Sequence, residues 1–211
     1  EVIGMWDAIF GEGYDGIVHI PMSSGLSNSY ESAAGLAADY DGRVQVADNH
    51  RISVTLRESV LEAKELADQG LTAEEIREEL ERRAYESCIY ITVDTLEFLK
   101  KGGRITPAAA ALGAVLNIKP VLTIQGERLD AFAKVRGMKK GKHKMLEALK
   151  QDLATRFQGI EMSRIVIGAA GSGLGKEEER EWTETLKDAF PDAVVYYNPL
   201  SFSIGSHTGP G

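Results

Sequence analysis

The chain is poor in cysteine, in long apolar runs and in positive charge, and each shortage excludes a class of protein. Cys88 is the single cysteine among 211 residues, so no disulfide can form within the chain, which is typical of the cytoplasm. Its place in the apolar run 88–91 predicts a buried strand residue. No apolar run approaches the roughly 18 residues of a membrane span, so we expect no stable membrane insertion. The net charge of −8 argues against a general nucleic-acid binder.

Histidines are also few, and their spacing does not indicate a metal site. His19, His50, His143 and His207 are scattered, without the short intervals that metal-ligand sets show. We therefore predict neither a metal nor a cofactor.

A loop of small hydroxyl residues and glycine, residues 21–30, is the most informative stretch of the chain. It follows an apolar run, residues 16–20, that predicts a buried strand, and it leads into residues 30–38, which have a helical pattern. Asn28 and Glu31 have the spacing of a capping box. A strand, a polar loop and a helix N-terminus in this order favour the binding of a phosphate or carboxylate. A well-capped helix without any ligand explains the same residues equally well.

Short apolar runs alternate with amphipathic segments, which predicts an α/β fold built from βαβ units. Residues 43–47 predict a second strand, which ends in the polar residues 48–50. Later in the chain, a β-hairpin turning at Gly126 and flanking helices predict a mixed sheet. We predict two α/β domains: residues 1–86 with a parallel βαβ sheet, and residues 87–211 with a mixed sheet.

Two further features leave more than one interpretation open. The glycine-rich loop 168–175 lies between a predicted strand and a predicted helix, but its glycines lack dinucleotide-binding spacing, so phosphate or nucleotide binding is a weaker alternative. A basic cluster on this acidic chain is either a solvated face or a docking site for an anionic ligand or acidic partner. Its members are Lys134, Arg136, Lys139, Lys140, Lys142, His143 and Lys144.

The last residues and an alanine-rich segment add a candidate site and a candidate channel. His207 lies among glycines, a serine and a proline, which predicts a tight loop that turns its side chain towards a ligand. A Ser–His hydrolase of acyl esters is one alternative, but Ser27 lacks the glycine pattern of a nucleophile elbow and no third triad member is evident. The alanine-rich residues 108–116 predict a helix that packs closely on a sheet or lines a narrow apolar channel.

Four motifs together resemble the DegV family. They are residues 23–30, 94–105, 116–122 and 206–211, which match the family's order and spacing across the whole chain. In two respects the chain departs from the family pattern. Asn28 and Ser29 stand where the family usually has glycine and threonine. The family's N-terminal segment, whose Thr-Ser-Gln-Pro loop helps to hold a ligand carboxylate, is absent from these residues.

The resemblance implies a bacterial, cytoplasmic protein that binds a long-chain fatty acid and has no catalytic role. It implies an acyl chain in a tunnel of one domain, here the second, with the carboxylate between the domains. Some members present the fatty acid to a fatty acid kinase, which phosphorylates it with ATP. Carried over by position, Ser27 donates to the carboxylate, His207 lies beside it, and Arg104 and Arg136 lie near the cleft. The other predicted ligand residues are Ser24, Asn28 and Thr208.

Overall fold

The computed structural model describes residues 1–111 and 118–210, and it shows a mixed α/β fold. The chain divides into two compact units, Glu1–Ser87 with Gln125–Glu127 and Cys88–Ile124 with Arg128–Gly211. Parallel and antiparallel strand pairs are both present, which confirms the fold class predicted from the alternation of apolar runs and amphipathic segments.

The first unit is a parallel βαβ unit with helices on both faces. Its helices are α1 (Val2–Gly11), α2 (Ser29–Ala37), α3 (Ser53–Asp68) and α4 (Ala73–Arg82), and its strands are β1 (Ile17–His19) and β2 (Val44–Val46). Ile17 lies opposite Val44 in the parallel pair. Because successive strand residues point to opposite faces, Ile17 packs with Trp6 of α1 while Val18 packs with Leu80 of α4. The sheet is therefore apolar on both faces, as parallel sheets usually are.

Helix α4 begins at a capping box formed by Thr72 and Glu75. The Thr72 hydroxyl accepts from the Glu75 N–H at 3.3 Å, and the Glu75 carboxylate accepts from the Thr72 N–H at 2.8 Å. Hydrogen bonds from the Thr72 N–H and then from its hydroxyl lower the pKa of Glu75. The two residues thus satisfy each other's backbone donors at the helix N-terminus.

The second unit contains one antiparallel and one parallel group of strands. Its strands are β3 (Ile89–Thr92), β4 (Ile118–Ile124), β5 (Asp130–Arg136), β6 (Val166–Ala169) and β7 (Val194–Tyr197). Its helices are α5 (Glu97–Gly102), α6 (Pro107–Ala110), α7 (Met138–Ala154), α8 (Lys176–Ala189) and α9 (Phe202–Thr208). Strand β4 pairs antiparallel with β3 and β5, whereas β6 and β7 pair in parallel. The core of this unit includes Val121, Met145, Ile167, Trp182 and Leu186.

The predicted hairpin is formed by β4 and β5. Gly126 in its turn has a φ of 90°, a left-handed conformation that carries no Cβ penalty in glycine. This conformation explains why the turn is made at this residue.

The alanine-rich helix is described only over its first turn. Thr106 caps α6 by accepting from the Ala109 N–H at 3.2 Å, and Pro107 takes the first helical position, where its missing N–H costs nothing. Residues 112–116 of the predicted helix lie outside the described residues, and so does most of the predicted acyl channel. None of the helices in the described ranges has the length and apolar character needed to cross a membrane.

Candidate functional site

The serine loop, defined here as residues 21–28, leaves β1 at its carboxyl end and leads into α2. The fully buried Ser23 hydroxyl donates to the carbonyl of Gly126 and accepts from the Gly25 N–H at 3.2 Å. The Ser27 N–H donates to the Ser23 carbonyl at 3.1 Å. Ser23 therefore holds the loop in shape through both its side chain and its backbone.

The N-terminus of α2 is capped differently from the prediction. Asn28 stands at the N-cap position, but its side chain makes no capping hydrogen bond, so the predicted capping box with Glu31 is wrong. The Ser27 hydroxyl accepts instead from the Ser29 N–H at 3.2 Å. A hydroxyl that accepts one hydrogen bond still has its own proton to donate. Ser27 can therefore cap the helix and donate to an anion at the same time.

A second polar loop, residues 48–53, follows β2 and is called the Asp48 loop below. Its Asp48 carboxylate accepts from the Ser24 N–H at 3.2 Å, and its Arg51 carbonyl accepts from the Ser23 N–H at 3.0 Å. These bonds hold the serine loop and the Asp48 loop side by side at the carboxyl ends of adjacent parallel strands. Open α/β sheets bind ligands at such an edge.

Arg51 is a buried cation that anchors the Asp48 loop. Its guanidinium donates to the carbonyls of Arg83 at 2.6 Å and Ala84 at 3.4 Å, and to the Ser59 hydroxyl at 3.1 Å. Burial lowers the pKa of Arg51, while the carboxylates of Glu62 and then Glu86 act in the opposite direction. The carbonyls follow the last turn of α4, where the helix dipole favours a cation.

In the second unit, α5 and α9 pack together and bring two of the predicted motifs into one cluster. A Cβ atom at Gly102 would lie 2.5 Å from the His207 Nδ1, so the imidazole lies directly against the end of α5. Arg104 donates to the Gly102 carbonyl. His207 and Arg104, two of the predicted ligand residues, thus both contact Gly102.

His207 lies in the last turn of α9, so the prediction of a tight loop around it is wrong. The Ser201 hydroxyl caps this helix by accepting from the Ile204 N–H at 3.4 Å, which the run of serines and glycines did not reveal. Thr208 is buried, and its hydroxyl donates to the Gly209 carbonyl at 3.2 Å. The small residues near His207 therefore end a helix.

The basic cluster divides into paired and unpaired cations. The Lys142 amine lies 5.5 Å from the centre of the Trp182 ring, and Lys144 pairs with Glu147 at 3.0 Å. The first turn of α7 has no acidic residue, although the helix dipole disfavours cations there. Within this cluster, the exposed cations that form no ion pair among the described residues are called the basic patch below. They are Lys134, Arg136, Lys139 and Lys140.

The glycine-rich loop 168–175 has its helix N-terminus already occupied. The Glu178 carboxylate accepts from the Gly175 N–H at 3.0 Å. Two more glutamates, Glu177 and Glu179, share the first turn of α8. Three carboxylates at a helix N-terminus repel an added phosphate, so this geometry argues against the phosphate or nucleotide alternative.

Neither a reactive thiol nor a metal-binding cluster is found among the described residues. Cys88 lies one residue before β3, and burial, followed by a hydrogen bond with Asp152, raises the pKa of its thiol to about 12. A thiol with such a pKa stays protonated and unreactive near neutral pH. Among the residues that the structure describes, no group of three His, Cys, Asp or Glu side chains could hold a metal ion.

Sequence reasoning gave no role to the side chains of the Asp48 loop. Asn49 is fully buried there, and His50 packs its ring on Tyr85 with 5.4 Å between the ring centres. The available signal was the run of polar residues directly after the second predicted strand, at the same sheet edge as the serine loop.

These features define a class: an α/β protein of two units with a loop-built candidate site for an anion in the first. A family model described as "Uncharacterised protein, DegV family" matches residues 1–211, and the chain belongs to the DegV family. A DegV domain-containing protein of Deinococcus radiodurans is 39% identical over 197 residues, covering 93% of this chain and 68% of that protein. Protein DegV of Bacillus subtilis is 30% identical over 213 residues, covering 100% of this chain and 73% of that protein.

Solved structures of DegV proteins share the fold. One, described as "Fatty Acid Binding of a DegV family Protein from Thermus thermophilus", is 35% identical with a TM-score of 0.79 and covers 98% of this chain and 71% of that chain. Another is DegV of Bacillus subtilis, described as a fatty acid binding protein, 29% identical with a TM-score of 0.76, covering 99% and 73% of the two chains.

Proposed function

We propose that this chain binds a long-chain fatty acid and holds its carboxylate at the serine loop, where Ser27 donates a hydrogen bond. The observation that carries the proposal is the placement of Ser27, whose hydroxyl accepts from the Ser29 N–H at 3.2 Å and keeps its proton for a ligand. Family relatives from Thermus thermophilus and Bacillus subtilis that are described as binding fatty acids support the ligand class. His207, Thr208, Arg104, Arg136, Ser24 and Asn28 stay predicted ligand residues.

The energetics explain why the carboxylate contacts matter. An acyl chain gains about 0.8 kcal/mol per buried methylene, so a long chain gains on the order of 12 kcal/mol. Association costs roughly 4–15 kcal/mol, which is of the same size. A buried carboxylate also needs several donors to offset its desolvation. The hydrogen bonds at the head group therefore decide whether binding is tight.

The test is to titrate stearic acid and octadecanol against the parent protein and Ser27→Ala. A hydrogen bond to a charged group is worth roughly 1.5–3 kcal/mol, so we expect the variant to bind the acid about ten- to a hundredfold more weakly. The alcohol should bind poorly to both proteins and lose much less. Ser32→Ala, an exposed serine on the same helix, is the matched control and should bind the acid like the parent.

Two results contradict the proposal. Equal losses for acid and alcohol show that Ser27 only caps α2, and an unchanged affinity for the acid places the carboxylate elsewhere. Saturable hydrolysis of a chromogenic acyl ester that disappears in Ser27→Ala would favour the hydrolase alternative.

The same proposal extends to a partner: a fatty acid kinase whose acidic face docks on the basic patch, in the cytoplasm. The chain then supplies no catalytic group, since the kinase transfers the phosphate. The support is the uncompensated charge of the patch on a chain of net charge −8. Association should weaken as salt rises, because surface charges steer the encounter and salt screens them.

Charge reversal separates docking from ligand binding. The double variant Lys139→Glu with Lys140→Glu, which leaves the predicted ligand residue Arg136 in place, should slow acyl-phosphate formation while leaving the affinity for stearic acid intact. Lys64→Glu with Lys176→Glu makes the same change in net charge elsewhere and should leave both unchanged. An equal loss of lipid binding in the first double variant would instead assign these cations to the ligand site.

A further inference from the structure

Buried polar atoms without a hydrogen-bond partner occur in the first residue of α2 and in the Asp48 loop, both of which follow the carboxyl ends of the parallel strands in the first unit. In the first unit these atoms include Ser29 Oγ, Asn49 Nδ2 and His50 Nδ1, and in the second unit Thr123 Oγ1 is a further example among the described residues. Arg83 Nε also lacks a hydrogen bond, but it lies 3.1 Å from a Glu79 carboxylate oxygen. His50 Nδ1 likewise lies 3.8 Å from an Asp48 carboxylate oxygen, which leaves Ser29 Oγ and Asn49 Nδ2 as the described atoms at this edge with no polar neighbour of this kind. Buried polar groups in folded proteins are nearly always satisfied, so a local group of exceptions indicates a missing partner.

Asn49 gives the clearest of these signals. Its side chain has no exposed surface, and its Oδ1 accepts from the Arg51 N–H at 3.3 Å. That bond fixes which way the amide points, so the unpartnered atom is the Nδ2, which can only donate. A group that complements it must therefore present an acceptor.

The backbone of the Asp48 loop supports the same conclusion. His50 and Ser53 have φ angles of 54° and 56°, in the left-handed region that residues other than glycine rarely adopt. Such conformations persist only where the surrounding structure enforces them, and they concentrate at ligand clamps. Here the enforcement comes from the three hydrogen bonds of the buried Arg51 guanidinium, which lies between the two strained residues.

We propose that the side-chain amide of Asn49 is a second donor to the ligand carboxylate, acting together with Ser27. The inference rests on the function proposed above and adds a residue from the loop after β2. The hydrogen bond from the Ser24 N–H to Asp48 holds this loop against the serine loop, so both donors belong to the same sheet edge. A carboxylate, which has only acceptor atoms, complements an amide N–H and a hydroxyl better than an alcohol does.

The variant that isolates the donor is Asn49→Asp. Aspartate keeps the shape and the oxygen that accepts from the Arg51 N–H, but it replaces the amide donor by an acceptor. We expect stearic acid to bind at least about ten- to a hundredfold more weakly, with little change for octadecanol. Asn198→Asp makes the same charge change at an exposed position of the second unit and should bind the acid like the parent.

A second variant and a second measurement guard against misfolding. Asn49→Leu removes the donor without adding a charge, and it decides the matter if the aspartate variant does not fold. Bound stearic acid labelled with carbon-13 at its carboxyl group reports its own pKa by NMR. Losing a donor to the ionised form should raise that pKa in both Asn49 variants, an effect that a purely structural role would not produce.

The outcomes separate the two proposals. Failure of the parent protein to bind stearic acid overturns both. If the parent binds and Ser27→Ala weakens binding, but the folded Asn49 variants keep the affinity and the carboxyl pKa of the parent, then only the assignment of Asn49 is wrong.

Discussion

The serine loop and the glycine-rich loop 168–175 have the same local architecture, a parallel strand followed by small residues and a helix N-terminus, yet they differ in what fills that N-terminus. In the glycine-rich loop, the Glu178 carboxylate already accepts from the Gly175 N–H at 3.0 Å. In the serine loop, a neutral hydroxyl caps the helix at Ser29 and no carboxylate takes that place. Both helices have an acid in the first turn, Glu31 in α2 and Glu177, Glu178 and Glu179 in α8. What distinguishes the two loops is therefore whether an acid already accepts from the backbone N–H at the helix N-terminus, as Glu178 does.

The largest effect should come from giving the serine loop what the other loop has. In Ser27→Asp, the new carboxylate can cap α2 and repels a ligand carboxylate at close range. Like charges brought together cost several kcal/mol, so we expect affinity for stearic acid to fall by more than about a hundredfold. Thermal stability should be kept, because aspartate is a good capping residue. Titration and thermal melts of the same sample check both points, and tight binding by this variant would contradict the comparison.

A smaller effect, on stability, should come from loosening the Asp48 loop, which is hydrogen-bonded to the serine loop. Arg51→Met removes donors from the carbonyls of Arg83 and Ala84 and should lower the free energy of unfolding by about 2–3 kcal/mol. Denaturant unfolding measures this loss. Arg57→Met, on the exposed side of α3, is the control and should change stability by less than about 0.5 kcal/mol.

Removing the acid from the other loop should act on stability alone. Glu178→Ala takes away the bond to the Gly175 N–H and should cost about 1 kcal/mol, the usual value of a helix cap. The affinity for stearic acid should not change. Glu184→Ala, exposed in the middle of the same helix, should cost much less. Equal losses in the two variants would mean that Glu178 has no capping role.

The smallest effect concerns Glu75, which shows how a carboxylate behaves at a helix N-terminus. Its pKa lies below the ordinary 4.5 because it accepts hydrogen bonds from the N–H and hydroxyl of Thr72. A depressed pKa means that the capping bond stabilises the fold above pH 4.5 and loses this contribution as the pH falls through the lower value. Carboxyl NMR titration should show the low pKa in the parent and a return towards 4.5 in Thr72→Ala.

Most of the fold was predictable because it depends on local signals. The Thr72 capping box, the proline at the start of α6 and the hairpin turn at Gly126 are each encoded by a few adjacent residues. The alternation of apolar runs gave the strands, and parallel pairing followed from the intervening helices. The wrong prediction of a capping box at Asn28 has a different cause. Ser27 and Asn28 are adjacent and either side chain could cap α2, and the spacing to Glu31 does not show which of them does.

The candidate site was predictable only in part. The serine loop and the C-terminal motif could be recognised from the sequence. The role proposed for Asn49 could not, because it depends on which side chains of the Asp48 loop are buried and which already have a hydrogen-bond partner. The burial of Asn49 and the three hydrogen bonds of Arg51 arise from packing against α3 and α4. No pattern within residues 48–53 reports such contacts.

The approach of His207 to Gly102 constrains how this family can vary. Gly103 has a φ of 67° and is required by its own backbone, whereas a Cβ at Gly102 would lie 2.5 Å from the His207 imidazole. The two neighbouring glycines are therefore required for unrelated reasons. Gly103 is required by its own φ angle, and Gly102 by its contact with His207, a residue distant in the sequence. Among homologues, a side chain at the position of Gly102 should appear only together with a smaller residue in place of His207, so the two positions should change together or not at all.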